Sequence, residues 1–174
     1  MPDSAKIDSS MIDKSRPLLV AFLCQHSPHV QHIAESFSEV ARLNKHRLTI
    51  IGISSNDVRA YPADSEDQLL SQANRLGFEF PYCVDPFQRA AKAFQARCTP
   101  EFFIYNTQFR LVYHGRYDGT KTGSAQPATG NDLIQAIERV AGDKILEGDQ
   151  YPSFGCSIKW TSGNEPLYSF SAAN

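Results

Sequence analysis

Leu18-Leu19-Val20-Ala21-Phe22-Leu23-Cys24-Gln25-His26-Ser27-Pro28 is the stretch that decides the fold. Six consecutive apolar residues leave no polar face, so the run predicts a strand buried on both sides, as in a parallel or mixed sheet. It stops at Cys24, and a polar turn follows. Pro28 suits the first turn of a helix, where its missing N–H costs little. From His29 to Lys45 the residues Val30, Ile33, Phe37, Val40, Ala41 and Leu43 recur at helical spacing. Cys24 therefore falls where a buried strand gives way to a helix N-terminus.

Upstream, Met1 to Arg16 is polar and lacks an apolar signal-peptide core, so it reads as an N-terminal arm of a cytoplasmic protein. Downstream, Arg47 to Ser54 predicts a second buried strand, and Glu66 to Leu76 a helix closed by Gly77. Phe80 to Val84 is a short apolar stretch without a clear period, and Gln88 to Ala96 a short helix. Phe102 to Tyr105 and Arg110 to His114 flank Asn106-Thr107-Gln108 as a hairpin. Gly115 to Gly130 reads as a polar loop and Asp132 to Ala141 as a last amphipathic helix. The predicted division is an arm over 1–16, one domain over 17–145 and a C-terminal tail over 146–174.

Composition narrows the function. A chain of 174 residues with 41% hydrophobic and 21% charged residues suits one ordinary α/β domain. A net charge of −2 without like-charge blocks argues against nucleic acid as partner, and no apolar run is long enough to span a bilayer. The four cysteines, Cys24, Cys83, Cys98 and Cys156, are widely spaced. In a reducing compartment such cysteines are more often buried, catalytic or metal-binding than structural disulfides.

Three of them bear on chemistry. The unpaired N–H groups of a helix N-terminus favour a thiolate, so Cys24 is expected to have a lowered pKa, with His26 acting the same way when protonated. The bland alternative is a buried core cysteine. Thr99-Pro100 precedes a strand expected to lie beside that of Cys24. Cys98 then either faces Cys24 as a second thiol or packs inward. Cys156 sits in Pro152-Ser153-Phe154-Gly155-Cys156-Ser157-Ile158-Lys159-Trp160, whose apolar residues are expected to fold back onto the domain. Cys83, after Phe80-Pro81-Tyr82, reads as core. Cys24, His26, His29 and His32 lack the spacing of a compact zinc site, so no metal and no cofactor is expected.

The order strand, helix, strand, helix, hairpin, helix is that of a thioredoxin-like α/β fold, a central mixed sheet flanked by helices. Separated motifs agree. Phe22-Leu23-Cys24-Gln25-His26-Ser27-Pro28 resembles an F-x-C-N-H-C-P motif. Gly52-Ile53-Ser54-Ser55-Asn56-Asp57 and Tyr61-Pro62-Ala63-Asp64-Ser65 are similar to G-I-N-S-N-D and Y-P-x-D-S. Phe80-Pro81-Tyr82, Cys98-Thr99-Pro100-Glu101-Phe102-Phe103 and the Gly155 to Trp160 segment complete the set. Together they resemble the peroxiredoxin-like, thioredoxin-fold proteins over residues 18 to 160. The resemblance implies a cis-proline at Pro100 beside the active site and catalysis at Cys24, with His26, Ser27, Cys98, Thr99 and Cys156 around it.

Two departures follow. The second cysteine of the motif is Ser27, which cannot resolve a mixed disulfide. Peroxidase chemistry also falls away, because Ser27 stands at the peroxidatic position. Compared with the family, the N-terminal stretch ahead of the first core strand is short, so one sheet edge is expected to be uncovered. The leading expectation is a thiol–disulfide oxidoreductase using Cys24, resolved by Cys98 or Cys156, acting on a protein or small-thiol disulfide. The alternatives are monothiol exchange at Cys24 and a thioredoxin-fold binding or assembly module that has lost catalysis. Oligomeric state is not legible.

Overall fold

The computed structural model describes residues 12–142 and 150–170. Most of the predicted N-terminal arm and the predicted boundary at residue 145 lie outside the described residues.

Strand β1 (Leu18–Phe22) is central, and its apolar run splits by parity between two cores. Leu19, Ala21 and Leu23 join one cluster with α1 (Pro28–Asn44) and α4 (Asn131–Ala141). Leu18, Val20 and Phe22 face the other cluster, with Phe103, Ala91 and Ile158. Both faces of the strand are covered, so the lack of a polar face is satisfied by packing.

β1 pairs in parallel with β2 (Thr49–Ser54), which pairs in parallel with β3 (Tyr82–Val84). On its other side β1 pairs antiparallel with β5 (Glu101–Tyr105), which forms the hairpin with β6 (Leu111–Gly115). The sheet order β3-β2-β1-β5-β6 and its mixed sense give the thioredoxin-like fold. Helix α2 (Glu66–Leu76) ends at Gly77, whose φ of 66° is left-handed and suits a residue without Cβ. Helix α3 is short (Arg89–Phe94). Phe37 anchors the first core against Phe78, Phe80, Phe102 and Tyr117, with ring centroids 5.2–6.4 Å away.

The tail adds an element that periodicity did not reveal. Cys98–Thr99 forms β4 and Cys156–Ser157 forms β7, a separate antiparallel two-stranded sheet. Ile158 is buried in the second core, and its N–H donates to the Arg97 carbonyl. The β6 edge is not bare either. Gln150 accepts from the His114 N–H through Oε1 and donates through Nε2 to the Val112 carbonyl. No described helix is long and apolar enough to cross a membrane.

Candidate active site

The strand-to-helix junction and the loop before β5 meet at Cys24. The thiol is fully buried, with Sγ 3.0 Å from Thr99 Oγ1 in a hydrogen bond. The backbone N–H of Ser27 also points at this sulfur. Ser27 is itself buried, and its hydroxyl donates to the Thr99 carbonyl at 3.2 Å instead of capping α1. The Thr99–Pro100 peptide bond is cis. Cys24, Ser27, Thr99 and Pro100 thus form one contiguous site.

The expected low-pKa thiolate is corrected by this geometry. Burial pushes the Cys24 thiol up to about 12, and the nearby Asp64 carboxylate adds to the rise. The bonds from Thr99 and Ser27 act the other way but are outweighed. A helix N-terminus favours a thiolate only to the extent that desolvation does not oppose it more strongly.

His26 does not turn towards a lone thiolate. Its Nδ1 lies 2.5 Å from Asp64 Oδ2, and its ring stacks on Tyr61 at 5.1 Å. Asp64 is fully buried at the end of a 3₁₀ turn, Pro62–Asp64. Its Oδ1 accepts the Gln25 and His26 backbone N–H groups, and its Oδ2 accepts Asn56 Nδ2. This carboxylate fixes the turn that carries Cys24, because it grips the Gln25 and His26 backbone just beyond the cysteine and the His26 imidazole, while Asn56 ties the carboxylate itself to the end of β2.

Among the described residues, Cys24, His26 and Asp64 are the one group of three whose donor atoms lie within 4.8 Å of one another. Both Asp64 oxygens already accept N–H donors, so an ion here would have to displace the bonds that shape the turn. His29 instead packs edge-on to Phe154 at 6.0 Å, and His32 bonds Thr120. Cys24, His26, His29 and His32 are therefore not gathered into one site.

Cys98 does not face Cys24. Successive residues of a strand point to opposite sides, and Thr99 takes the side of the sulfur. Cys98 Sγ lies 3.7 Å from the Pro100 carbonyl, and burial raises its pKa, with the charge of Glu101 next. Cys156 stands across the β4–β7 ladder from Thr99. It is close enough that a charge on it would raise the pKa of both Cys24 and Cys98. Cys83 is half-buried on β3, paired with Ile53 of β2.

Sequence reasoning missed three supporting residues. Asp64 lies in the quoted Tyr61 to Ser65 motif but carried no assigned role. Glu101 is buried, and its Oε2 accepts the Arg97 and Cys98 backbone N–H groups while Oε1 meets His114 Nε2 at 2.6 Å. It thereby holds the loop that presents Thr99. Gly155 is pressed against the Thr99 carbonyl and Pro100, and an added Cβ would lie well inside van der Waals contact with that oxygen. A lone acid in an apolar strand and a glycine next to a cysteine were the available signals.

The model of the AhpC/TSA family matches residues 2–115, about two thirds of the chain. The chain belongs to the AhpC/TSA family. A structure of a hypothetical protein from Sinorhizobium meliloti 1021 is similar at 39% identity, with a TM-score of 0.84 over 86% of this chain and 82% of that one. An uncharacterized conserved protein from Geobacillus kaustophilus is similar at 33% identity and a TM-score of 0.82, over 85% and 79% of the two chains. A secreted Mycobacterium tuberculosis disulfide oxidoreductase shares the fold at 15% identity and a TM-score of 0.57, over 76% of this chain and 87% of that one. No curated protein matches the chain. AhpC/TSA membership agrees with the peroxiredoxin-like resemblance of the motifs.

Proposed function

We propose that this AhpC/TSA-family chain performs thiol–disulfide exchange, with Cys24 as the nucleophile and Cys156 as the resolving thiol. The observation that carries the reading is the pairing of Cys156 with Thr99, whose side chain holds the Cys24 sulfur. Cys24, once deprotonated, attacks one sulfur of a client disulfide. A Cys24–client disulfide forms and the other client sulfur leaves as a thiolate. The Cys156 thiolate then attacks Cys24 Sγ, forming a Cys24–Cys156 disulfide and releasing the reduced client. A low-molecular-weight thiol or a protein dithiol returns the pair to its reduced state. Ser27 takes no part in electron transfer and keeps the Thr99 carbonyl in place. Cys98 is a structural thiol in this reading, which narrows the earlier choice between Cys98 and Cys156.

An aromatic disulfide such as Ellman's reagent tests this, with the adducts located by mass spectrometry. In the wild-type chain Cys24 takes up one aryl thiol, and Cys156 then expels it, leaving a disulfide and two released aryl thiolates. Cys156→Ala should hold the Cys24 adduct, whereas Cys98→Ala should clear it as the wild type does. Persistence in Cys98→Ala alone would overturn the assignment.

The burial of Cys24 favours one second reading, a binding module of the same fold that has lost catalysis. A Cys24 that takes up no aryl thiol even in denaturant-free solution at high pH, with partner binding intact, would support it.

A further inference from the structure

Exchange at Cys24 makes an anion of a buried sulfur. Among the described residues, two groups already bond to that sulfur, the Thr99 hydroxyl and the Ser27 N–H. A third polar group lies in the same core and is not yet spent.

Tyr82 opens β3, opposite Gly52 of β2 in the parallel ladder. A glycine is needed at that position. An added Cβ would stand 3.0 Å from both Tyr82 Cδ2 and Phe80 Cε2, tighter than side chains normally pack. With nothing in the way, the Tyr82 ring lies against Gly52 and edge-on to Phe78 at 5.9 Å, and it packs on the core that contains Cys24. Its hydroxyl oxygen is buried there with no hydrogen-bond partner among the described residues. Such groups are rare in folded proteins, because burial removes the bonds they made to water.

Two facts limit what this hydroxyl can serve. Burial holds its pKa well above the ordinary tyrosine range, and the charges of Cys24 and then Asp64 push the same way. The phenol therefore keeps its proton and acts as a donor. Asp64 has no room to accept it. Oδ1 already takes the Gln25 and His26 N–H groups, and Oδ2 takes Asn56 Nδ2 and the His26 ring. A carboxylate offers about four acceptor sites, so these are filled. Cys24 remains. A neutral thiol is a weak acceptor, whereas a thiolate is a strong one.

We propose that Tyr82 is a further stabilising residue for the exchange reaction: its unbonded hydroxyl turns its O–H dipole onto Cys24 as the sulfur takes on negative charge. The inference rests on the exchange reading above and deepens it. A hydroxyl without a partner turns without breaking a bond, and in a buried site its dipole is weakly screened. The proton balance is simple. Cys24 gives its proton to buffer base or hydroxide, and Tyr82 keeps its own before and after. Gly52 and Tyr82 together place a phenol oxygen where a phenylalanine ring would pack as well.

Tyr82→Phe removes that one oxygen and no hydrogen bond between described residues. Cys24 and Cys83 are alkylated with iodoacetamide in the folded chain between pH 7 and 10, and peptide mass spectrometry reads the rate at each. The variant should alkylate Cys24 about threefold to tenfold more slowly at every pH, its rate–pH line displaced to higher pH with the same slope. Cys83, the next residue on β3, should keep its rate, and the melting temperature should not fall. An unchanged or faster Cys24 overturns the inference. So does a slower Cys24 together with a lower melting temperature or a changed Cys83 rate, because ring packing would then be the cause. Alkylation involves no disulfide, so the two readings fail separately. An unchanged Cys24 rate in the variant, beside a wild type that clears its aryl adduct, defeats the Tyr82 inference alone. A slowed Cys24 rate, beside an adduct that Cys156 never clears, defeats the exchange reading alone.

Discussion

Cys156 and Thr99 face each other across a two-residue ladder, and the Thr99 hydroxyl is 3.0 Å from Cys24 Sγ. That relationship puts Cys156 near the buried Cys24 thiol, while Ser27 occupies the third position after Cys24 in the turn. It also makes one loop responsible for both cysteines, because Glu101 ties the Arg97 and Cys98 N–H groups that set the Thr99 phase.

Cys24 should behave as a high-pKa thiol. Burial raises its pKa from 9.0 to about 12, so the folded state favours the protonated form. The stability linked to this group is then fully present below pH 9 and is lost as pH rises towards 12. Alkylation of Cys24 should climb about tenfold per pH unit through pH 7 to 10 without a plateau. A plateau near pH 7 would show a stabilised thiolate instead.

Asp64→Asn should speed Cys24 alkylation at constant pH. The Asp64 charge is the second cause of the raised Cys24 pKa, after burial. Removing the charge while keeping an acceptor for the Gln25 N–H should increase the rate about threefold to tenfold. A slower rate would mean that the carboxylate serves as the proton acceptor for the thiol.

Ser27→Cys should redirect the disulfide. Position 27 is buried in the first turn beside Cys24, with its side chain on the Thr99 carbonyl. Mild oxidation of this variant should give a Cys24 disulfide to the introduced thiol and leave Cys156 free. A persisting bridge to Cys156 in the variant would show that geometry, not the missing thiol, selects the partner.

Phe37→Ala should destabilise the chain by about 3–5 kcal/mol, the usual range for emptying a large buried aromatic site. Phe37 is 1% exposed and sits among four other rings. Chemical denaturation monitored by circular dichroism measures the loss, and a change below 1 kcal/mol would mean that the cluster refills the space.

The local parts of this architecture were legible in the chain. The apolar run of β1, Pro28 at the start of α1 and Gly77 at the end of α2 each follow from neighbours a few residues away. The site was less so, for physical reasons. Whether Cys98 or Thr99 faces Cys24 depends on the phase of a two-residue strand, which is set by Glu101 and by pairing with a distant tail. The position of Cys24 near a helix start is local and points to a reactive thiolate, whereas the burial that raises its pKa comes from tertiary packing. Asp64 reaches Gln25 and His26 across a long stretch of sequence, so its grip on the turn left no periodic trace. The tail looked irregular because β7 spans only Cys156–Ser157, too short to show alternation.

The most direct measurement is a peptide-mass map after mild oxidation with diamide, with free thiols alkylated before and after. The account predicts a Cys24–Cys156 disulfide with Cys83 and Cys98 recovered as free thiols. A Cys24–Cys98 disulfide, or Cys24 recovered as an unpaired thiol, would contradict it.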